Sequence, residues 1–310
     1  MRTTTGLPVL SSEFSGVPIV LAGVIDHPAQ DVQFEASLAF SEQARDRNIP
    51  VILIDATPPD RGVWAANAHE HKGAVIVSPR IPDRPATFMQ QAVAHAIMNG
   101  AGNVMTTPID EPDIPLIASE QVRRALVHTD VVIVGRTQEA RDELPPIQQQ
   151  LAHLGGWIVE QTHVLPHDSL TGPRGYNREA AQLLVRYPSL GANISGAPHL
   201  FEAPLMIRDA EKRLGGVKAT FRRPEALIDQ EAADPRDGLR RYDYMVDLFM
   251  GLMRDVRSTA PRAGMIGTAV LDHLSRGAPT TQGELTRSIK LLASKMVAFG
   301  FRPGSAFFSR

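Results

Sequence analysis

The stretch Gly102-Asn-Val-Met-Thr-Thr-Pro-Ile-Asp-Glu-Pro-Asp-Ile-Pro115 sets three carboxylates, Asp110, Glu111 and Asp113, directly behind a strand-length apolar run. Asp and Pro are common turn residues, so an exposed acidic turn is one reading. The other is a loop at a strand end that holds a hard divalent cation, because Mg²⁺ and Mn²⁺ take oxygen ligands and share them with substrate phosphates. The segments on either side favour a strand end. Asn103-Val-Met-Thr-Thr107 reads as a strand, a helix is expected over about Pro115 to Val127, and Asp130-Val-Val-Ile-Val134 reads as the next strand.

The same rhythm runs upstream. Val17-Pro-Ile-Val-Leu-Ala-Gly-Val-Ile25 precedes a helical pattern through Phe34, Leu38 and Ala39, and Ile49-Pro-Val-Ile-Leu-Ile54 follows it, a β-α-β opening. Gly73-Ala-Val-Ile-Val77 supplies a third strand, and Ala86 to Asn99 a helix that Gly100 ends. Unbroken Val and Ile runs suit a mostly parallel central sheet with helices on both faces, an α/β fold. Ligands of such sheets gather at the carboxyl ends of strands, where Asp26, Asp55 and Asp110 all fall. An isolated Asp at such a place equally suits a helix cap or turn.

Past residue 165 the pattern changes. His167 to Tyr176 reads as a Gly-rich loop in which Gly172 and Gly175 flank Arg174, and Asn177 to Arg186 as a helix. Phe201 to Leu214 reads as helical and Val217 to Phe221 as a strand, followed by Arg222 and Arg223, which suit a diphosphate clamp or an exposed turn. From about Asp237 onward the chain is mostly helical, with Leu285, Ile289, Leu292 and Met296 on one face. These shifts predict an N-terminal tail over 1–15, a main domain over 16–230 and a helical C-terminal extension over 231–310. That extension could cover an acceptor site, form a homodimer or rest on a membrane surface, a packed core or dimer helix being the commoner use of such a face.

Composition excludes whole classes. The chain of 310 residues is 43% hydrophobic and 21% charged, with a formal net charge of -2, so no basic field advertises nucleic acid as partner. Cysteine is absent, which removes disulfides, thiol nucleophiles and Cys-ligated zinc, and makes a reducing compartment, the cytoplasm, the expected location. The stretch Met1 to Gly16, with a single Arg and no apolar core, does not read as a signal peptide, and the apolar runs are strand-length, short of the roughly 20 residues that span a bilayer. The glycine-rich dinucleotide and P-loop motifs, the nucleophile elbow and the H-E-x-x-H zinc motif are missing, which leaves dehydrogenase, P-loop kinase, hydrolase and zinc-protease readings without their chemistry.

In their order these pieces resemble the GT-A (Rossmann-like) glycosyltransferases, especially family 2-like enzymes such as polyprenol-phosphate mannose synthases and glucosyl-3-phosphoglycerate synthases. The resemblance covers roughly residues 15 to 225. It implies transfer of a sugar from a UDP- or GDP-linked donor to an acceptor hydroxyl or phosphate, assisted by Mg²⁺ or Mn²⁺, the acceptor being a small soluble molecule or a lipid phosphate. Asp26 then stands at the end of the first strand beside the nucleotide, and Asp55, in Ile52-Leu-Ile-Asp55-Ala-Thr, near the base. Anchored on Gly135-Arg136, Asp110 falls on the second acid of the family's D-x-D motif and Pro108 on the first, so the metal site is rebuilt with Glu111 or Asp113, weakened or lost.

Asp168-Ser-Leu-Thr-Gly-Pro-Arg-Gly-Tyr-Asn-Arg178 resembles the acceptor-side loop and its following helix, and His199-Leu-Phe-Glu202 a segment whose acid serves as base or sugar contact. The resemblance thus implies Asp168 and Glu202 as catalytic residues, Asp26, Asp55, Asp110, Arg178 and Arg222 as donor contacts, and Asp110, Asp113 and His199 as metal ligands. A lone histidine is more often structural, and Glu202 at a helix start also complements the helix dipole. Two further readings stand beside the transferase. One is a catalytically silent GT-A-like protein that binds a nucleotide for regulation, which Pro108 in place of an acid suggests. The other is a sugar-1-phosphate nucleotidyltransferase, whose Gly-rich first loop with a basic residue is lacking here.

Overall fold

A computed structural model describes residues 19–25, 32–56, 63–78, 87–162, 172–186, 207, 210–234, 236, 238–239, 242–243, 279–298, 300 and 302. The chain divides into two compact units: Met1–Val132 with Gly172–Ala192 and Glu211–Val217, and Ile133–Thr171 with Asn193–Ala210 and Lys218–Arg310.

In the first unit β1 (Ile19–Ile25), α1 (Val32–Asp46), β2 (Val51–Asp55), α2 (Val63–His71), β3 (Val75–Val77), α3 (Phe88–Met98) and β4 (Asn103–Thr106) alternate as the periodicity predicts. β1 pairs in parallel with β2 on one side and β4 on the other, and β2 pairs in parallel with β3. Leu21, Ala22, Leu53, Ile54, Val104 and Met105 are fully buried, as residues of a strand covered on both faces must be. α3 packs along β1 and β2, and α1, packed against α2 and the short helix at Ile114–Ile117, buries Phe34, Ala36, Phe40 and Ala44.

Asp110 and its neighbours lead into α4 (Ile114–Ile117), a π-helical turn (Ala118–Val122) and α5 (Arg123–Ala125), one continuous helical segment near the expected span. β5 (Val131–Arg136), α6 (Gln138–Asp142) and α7 (Pro146–Thr162) follow. Here the sequence reading is corrected. The segment expected to be a Gly-rich loop contains β6 (Arg174–Asn177), antiparallel to β4 with Thr106 opposite Arg174 and Asn103 opposite Asn177. α8 (Arg178–Arg186) follows it, and Leu214 begins β7 (Leu214–Ala219) rather than ending a helix. The rest of that expected helix lies largely outside the described residues.

The strand order β3-β2-β1-β4-β6-β5-β7 gives a seven-stranded, mostly parallel sheet, the GT-A-type (Rossmann-like) α/β fold that the resemblance implies. Asp130, just before β5, ties the starts of β5 and β7 to the end of β6. It accepts from the Asn177 amide (2.7 Å) and the Arg213 backbone N–H (2.7 Å), while its own carbonyl accepts from Asn177 N–H (2.9 Å). Burial opposes ionisation of Asp130, but these hydrogen bonds and the Arg213 charge outweigh it and hold its carboxyl below the usual range.

The second unit has its own core. α7 contributes Leu151 and Leu154, and α10 (Gln282–Val297) contributes Leu285, Ile289, Leu292, Ala293 and Met296, with Tyr242 among them. α9 (Glu225–Ala233) lies between β7 and that helix in sequence. The apolar stripe read from the sequence is thus a core face, packed against α7.

Candidate functional site

The chain reverses direction of sheet growth between β1 and β4, which makes the carboxyl ends of these strands the crevice of the first unit. Asp55 lies there, half-buried at the end of β2, with Ile25 as its register partner and the next N–H, of Ala56, donating to Ile25 O (2.8 Å). Thr107 N–H donates to Ala22 O (3.1 Å) and extends the β1–β4 pairing past β4. The acidic loop then folds back over β1, because position 23 is glycine: a Cβ there would overlap the Ile109 Cγ2 methyl. Ile109 is buried as a result, and Asp110 and Glu111 are carried inward with it, only 7% and 4% exposed. This excludes the solvated-turn reading for both carboxylates. Ionised groups are removed from water at a cost of several kcal/mol each unless partnered, and both engage other groups of the protein.

Asp113 differs. It stands exposed at the N-cap of α4, makes no side-chain capping bond, and its carbonyl accepts from Leu116 N–H (3.2 Å). Pro108, where the resemblance implies an acid, is exposed and packs against position 172, where a Cβ would overlap its ring. Among the described residues no three His, Asp or Glu side chains lie together in a manner suited to hold a metal ion. Asp26, Asp168, His199 and Glu202 lie outside the described residues.

β6 brings a group that the sequence reading passed over. Arg174 is fully buried opposite Thr106, at the carboxyl end of β4, with Nη1 donating to Pro173 O (2.9 Å). Two positions on, the same face carries Tyr176, whose hydroxyl burial pushes up to about 12, with the Arg174 charge and the Thr106 hydroxyl acting in the opposite direction. Its phenol is neutral throughout the physiological range. The signal was present as an arginine flanked by Gly172 and Gly175, but without a visible strand it suggested only a loop before a helix. Gly175 itself is a packing site, since a Cβ there would overlap a Val122 methyl of the π-helical turn.

Arg178 is not brought to this crevice. β6 runs antiparallel to β4, so Arg178 stands at the amino end of β4, where its guanidinium donates to Ala101 O (2.8 Å) and Ile97 O (3.4 Å) and satisfies carbonyls at the end of α3. Arg222 belongs to the second unit, just beyond β7, and pairs with Glu143 at 2.8 Å. Beside it in sequence, Phe221 is buried under the Arg136 guanidinium, whose Cζ lies 4.6 Å from the ring centroid.

No protein-family model matches the chain, and no curated protein matches it. Solved structures do resemble it. A mannosyltransferase, PcManGT, from Pyrobaculum calidifontis in complex with GDP-Man and Mn²⁺ is 13% identical over 95% of this chain and 79% of that one, with a TM-score of 0.49. Mannosyl-3-phosphoglycerate synthase from Rubrobacter xylanophilus is 11% identical over 78% of this chain and 74% of that one, TM-score 0.48. TarS of S. aureus, as its 1-349 fragment, is 11% identical over 90% and 84%, TM-score 0.42. At such identities the likeness concerns fold, and no residue's role is carried across. Among the described residues no helix is long and apolar enough to cross a membrane.

Proposed function

We infer that the chain is a glycosyltransferase that moves a sugar from a UDP- or GDP-linked donor to an acceptor hydroxyl or phosphate with the help of Mg²⁺ or Mn²⁺. The observation that carries this reading is the placement of Asp110 and Glu111, two buried carboxylates on the loop that crosses the sheet's switch point. Their chemistry fits a hard cation. Mg²⁺-type sites commonly use one or two protein carboxylates and complete the shell with water and phosphate oxygens, so a three-residue cage is not required. Asp110 is the proposed principal ligand, with Glu111 beside it and Asp113 and His199 as further candidates. When bound, the cation supplies neutralisation of the charge that builds on the departing nucleoside diphosphate.

The protein's own residues do the rest. Asp55, with Asp26 as a further candidate, accepts hydrogen bonds from the nucleoside, and the buried Thr107 and Ile109 limit water at the crevice, where water would hydrolyse the donor. Asp168 and Glu202 are the proposed acceptor-side acids. One of them would take the proton of the attacking hydroxyl while its oxygen bonds to the anomeric carbon and the diphosphate leaves. The exposed Pro108 favours a second reading, a GT-A-like protein that binds nucleotide without turnover.

Calorimetric titration with UDP-glucose and GDP-mannose, with Mn²⁺ or Mg²⁺ and then EDTA, tests the proposal. One donor should bind, binding should collapse with EDTA, and Asp110→Asn should weaken it about tenfold or more. Failure of both donors, or an Asp110→Asn variant that binds as well as the parent, sinks it; metal-dependent binding without transfer to any acceptor selects the second reading.

A further inference from the structure

We propose that Gly23 and Gly172 are positioning residues for the acidic loop, and that they hold Asp110 and Glu111 in one preformed arrangement ready to take a divalent cation. The cation rests on the glycosyltransferase reading above; the holding of the loop does not. β1 and β6 flank β4, with Leu21 beside Met105 and Arg174 opposite Thr106. Just past the end of β4, Gly23 of β1 meets Ile109, and Gly172, two residues before β6, meets Pro108. In each pair a Cβ on the glycine would overlap the loop side chain, at the Cγ2 methyl of Ile109 and at Cγ and Cδ of the Pro108 ring.

The two contacts come from opposite faces of the sheet. Successive residues of a strand point to opposite sides, so Met105 and Thr106 face away from each other. Gly23 shares the side of Leu21 and Met105, and Gly172, two residues before Arg174, the side of Thr106. Two consecutive loop residues are thus caught from either side, and a tilt that relieves one contact tightens the other. Backbone bonds fix the same segment: Thr107 N–H donates to Ala22 O (3.1 Å), and the Thr107 hydroxyl to Pro108 O (2.9 Å). Asp110 follows the caught Ile109 directly. At the far end Ile114 N–H donates to Glu111 O (3.2 Å), and Ile114 is fully buried where α4 begins.

The chemical consequence is preorganisation. Two neighbouring carboxylates repel each other, and on a free loop both would turn to water. Held inward beforehand, they need no further ordering when a cation arrives, and the positions of their oxygens are set by packing. Pro108 offers a cation no ligand, but its ring supplies one of the two contacts.

An exchange of side-chain size tests this. Gly172→Ala puts a methyl where the ring lies, Pro108→Ala leaves a gap there, and the double variant puts the methyl into the gap. Hydrogen exchange without metal or nucleotide reads the amides of Thr107 and Ile114, one at each end of the loop. Each single variant should exchange about tenfold faster there, and the double variant should return to within about threefold of the parent, with the amides of α1 unchanged throughout. Mn²⁺ titration of the whole protein should follow the same pattern, about tenfold or more weaker in the single variants and recovered in the double. That recovery of cation affinity is what a merely structural contact would not give. Gly23→Ala with Ile109→Ala repeats the cycle from the other face, and decides the matter if Gly172→Ala fails to fold. Single variants that exchange as the parent does, or effects that simply add in the double, overturn the proposal; so does Mn²⁺ affinity that stays unchanged while exchange responds. A parent that binds neither Mn²⁺ nor any nucleotide-sugar refutes the glycosyltransferase reading and the cation with it, and exchange alone then decides whether the two glycines hold the loop.

Discussion

His69 shows what a single enclosed side chain imposes. Ser37 gives its hydroxyl proton to Phe34 O (2.7 Å), so its Oγ accepts from the His69 Nε2–H (3.1 Å), and Nδ1 is left to accept from the Ser41 hydroxyl (2.8 Å). With both nitrogens so used, and Phe34 edge-on to the ring at 5.8 Å, there is no place for a second ring proton, and burial lowers the pKa to about 4. The unfolded chain, with an ordinary value near 6.5, takes up a proton that the folded chain refuses. The stability contribution is therefore complete above about pH 6.5 and is lost as pH falls towards 4, by up to about 3 kcal/mol. Urea unfolding from pH 8 to pH 4 should show the parent losing that much more than His69→Gln; equal losses would mean that His69 is not the titrating group. Nothing in the sequence singles out His69, because its partners Ser37 and Ser41 lie 32 and 28 residues away on another helix. Asp55 and Asp110 are legible as strand-end residues because a strand end can be read from where an apolar run stops, whereas the place of Arg174 is not, since its strand forms through pairing with β4 and β5.

Among the elements, the first three long helices end alike, and the ending explains how each delivers its strand. After α3, Gly100 adopts φ 90°, its N–H donates to Ile97 O and the N–H of Ala101 to Ala96 O, both at 3.1 Å. The same pair of bonds closes α1 around Asn48 and α2 around Gly73, and each time the following residue, Ile49, Ala74 or Ala101, is buried at the approach to a strand. A Cβ at position 100 would meet nothing within 4 Å, so Gly100→Ala isolates the backbone term and should cost about 1 kcal/mol in urea unfolding. Asn48→Gly should move stability the other way by a few tenths of a kcal/mol, and a Gly100→Ala variant as stable as the parent would refute the account. Such turns are readable, and so were β1 to β5, because continuous Val and Ile runs bounded by Gly or Asn admit few other uses. β6 and the start of β7, Arg-Gly-Tyr-Asn and Leu-Gly-Gly, have low strand propensity of their own; neighbouring strands impose their conformation.

At the scale of the molecule, the sequence reading sets residues 231–310 apart as an extension, and within the second unit α10 shares a core with α7. The stripe Leu285, Ile289, Leu292 and Met296 was legible from its helical spacing, but its partners Leu151, Leu154 and Trp157 on α7 lie far earlier in the chain, and no local pattern announces a pairing at that separation. A membrane or dimer role for this face would require it to be vacant, and it is occupied. Thr281 caps α10 by accepting from Glu284 N–H (3.2 Å), so the helix starts where the core needs it. Ile289 is fully buried, and Ile289→Ala should lower the local stability of the second unit by about 2–5 kcal/mol. Hydrogen exchange reads this where it occurs: amides of α7 and α10 should exchange faster in the variant while those of α1 and α3 keep their parent rates, because each unit has its own core. If only α10 loosens and α7 exchanges as in the parent, the helix is an appendage and the boundary read from the sequence was the better description; if α7 loosens with it, the second unit depends on residues from both ends of its sequence and cannot be shortened at residue 280 without exposing Leu151 and Leu154.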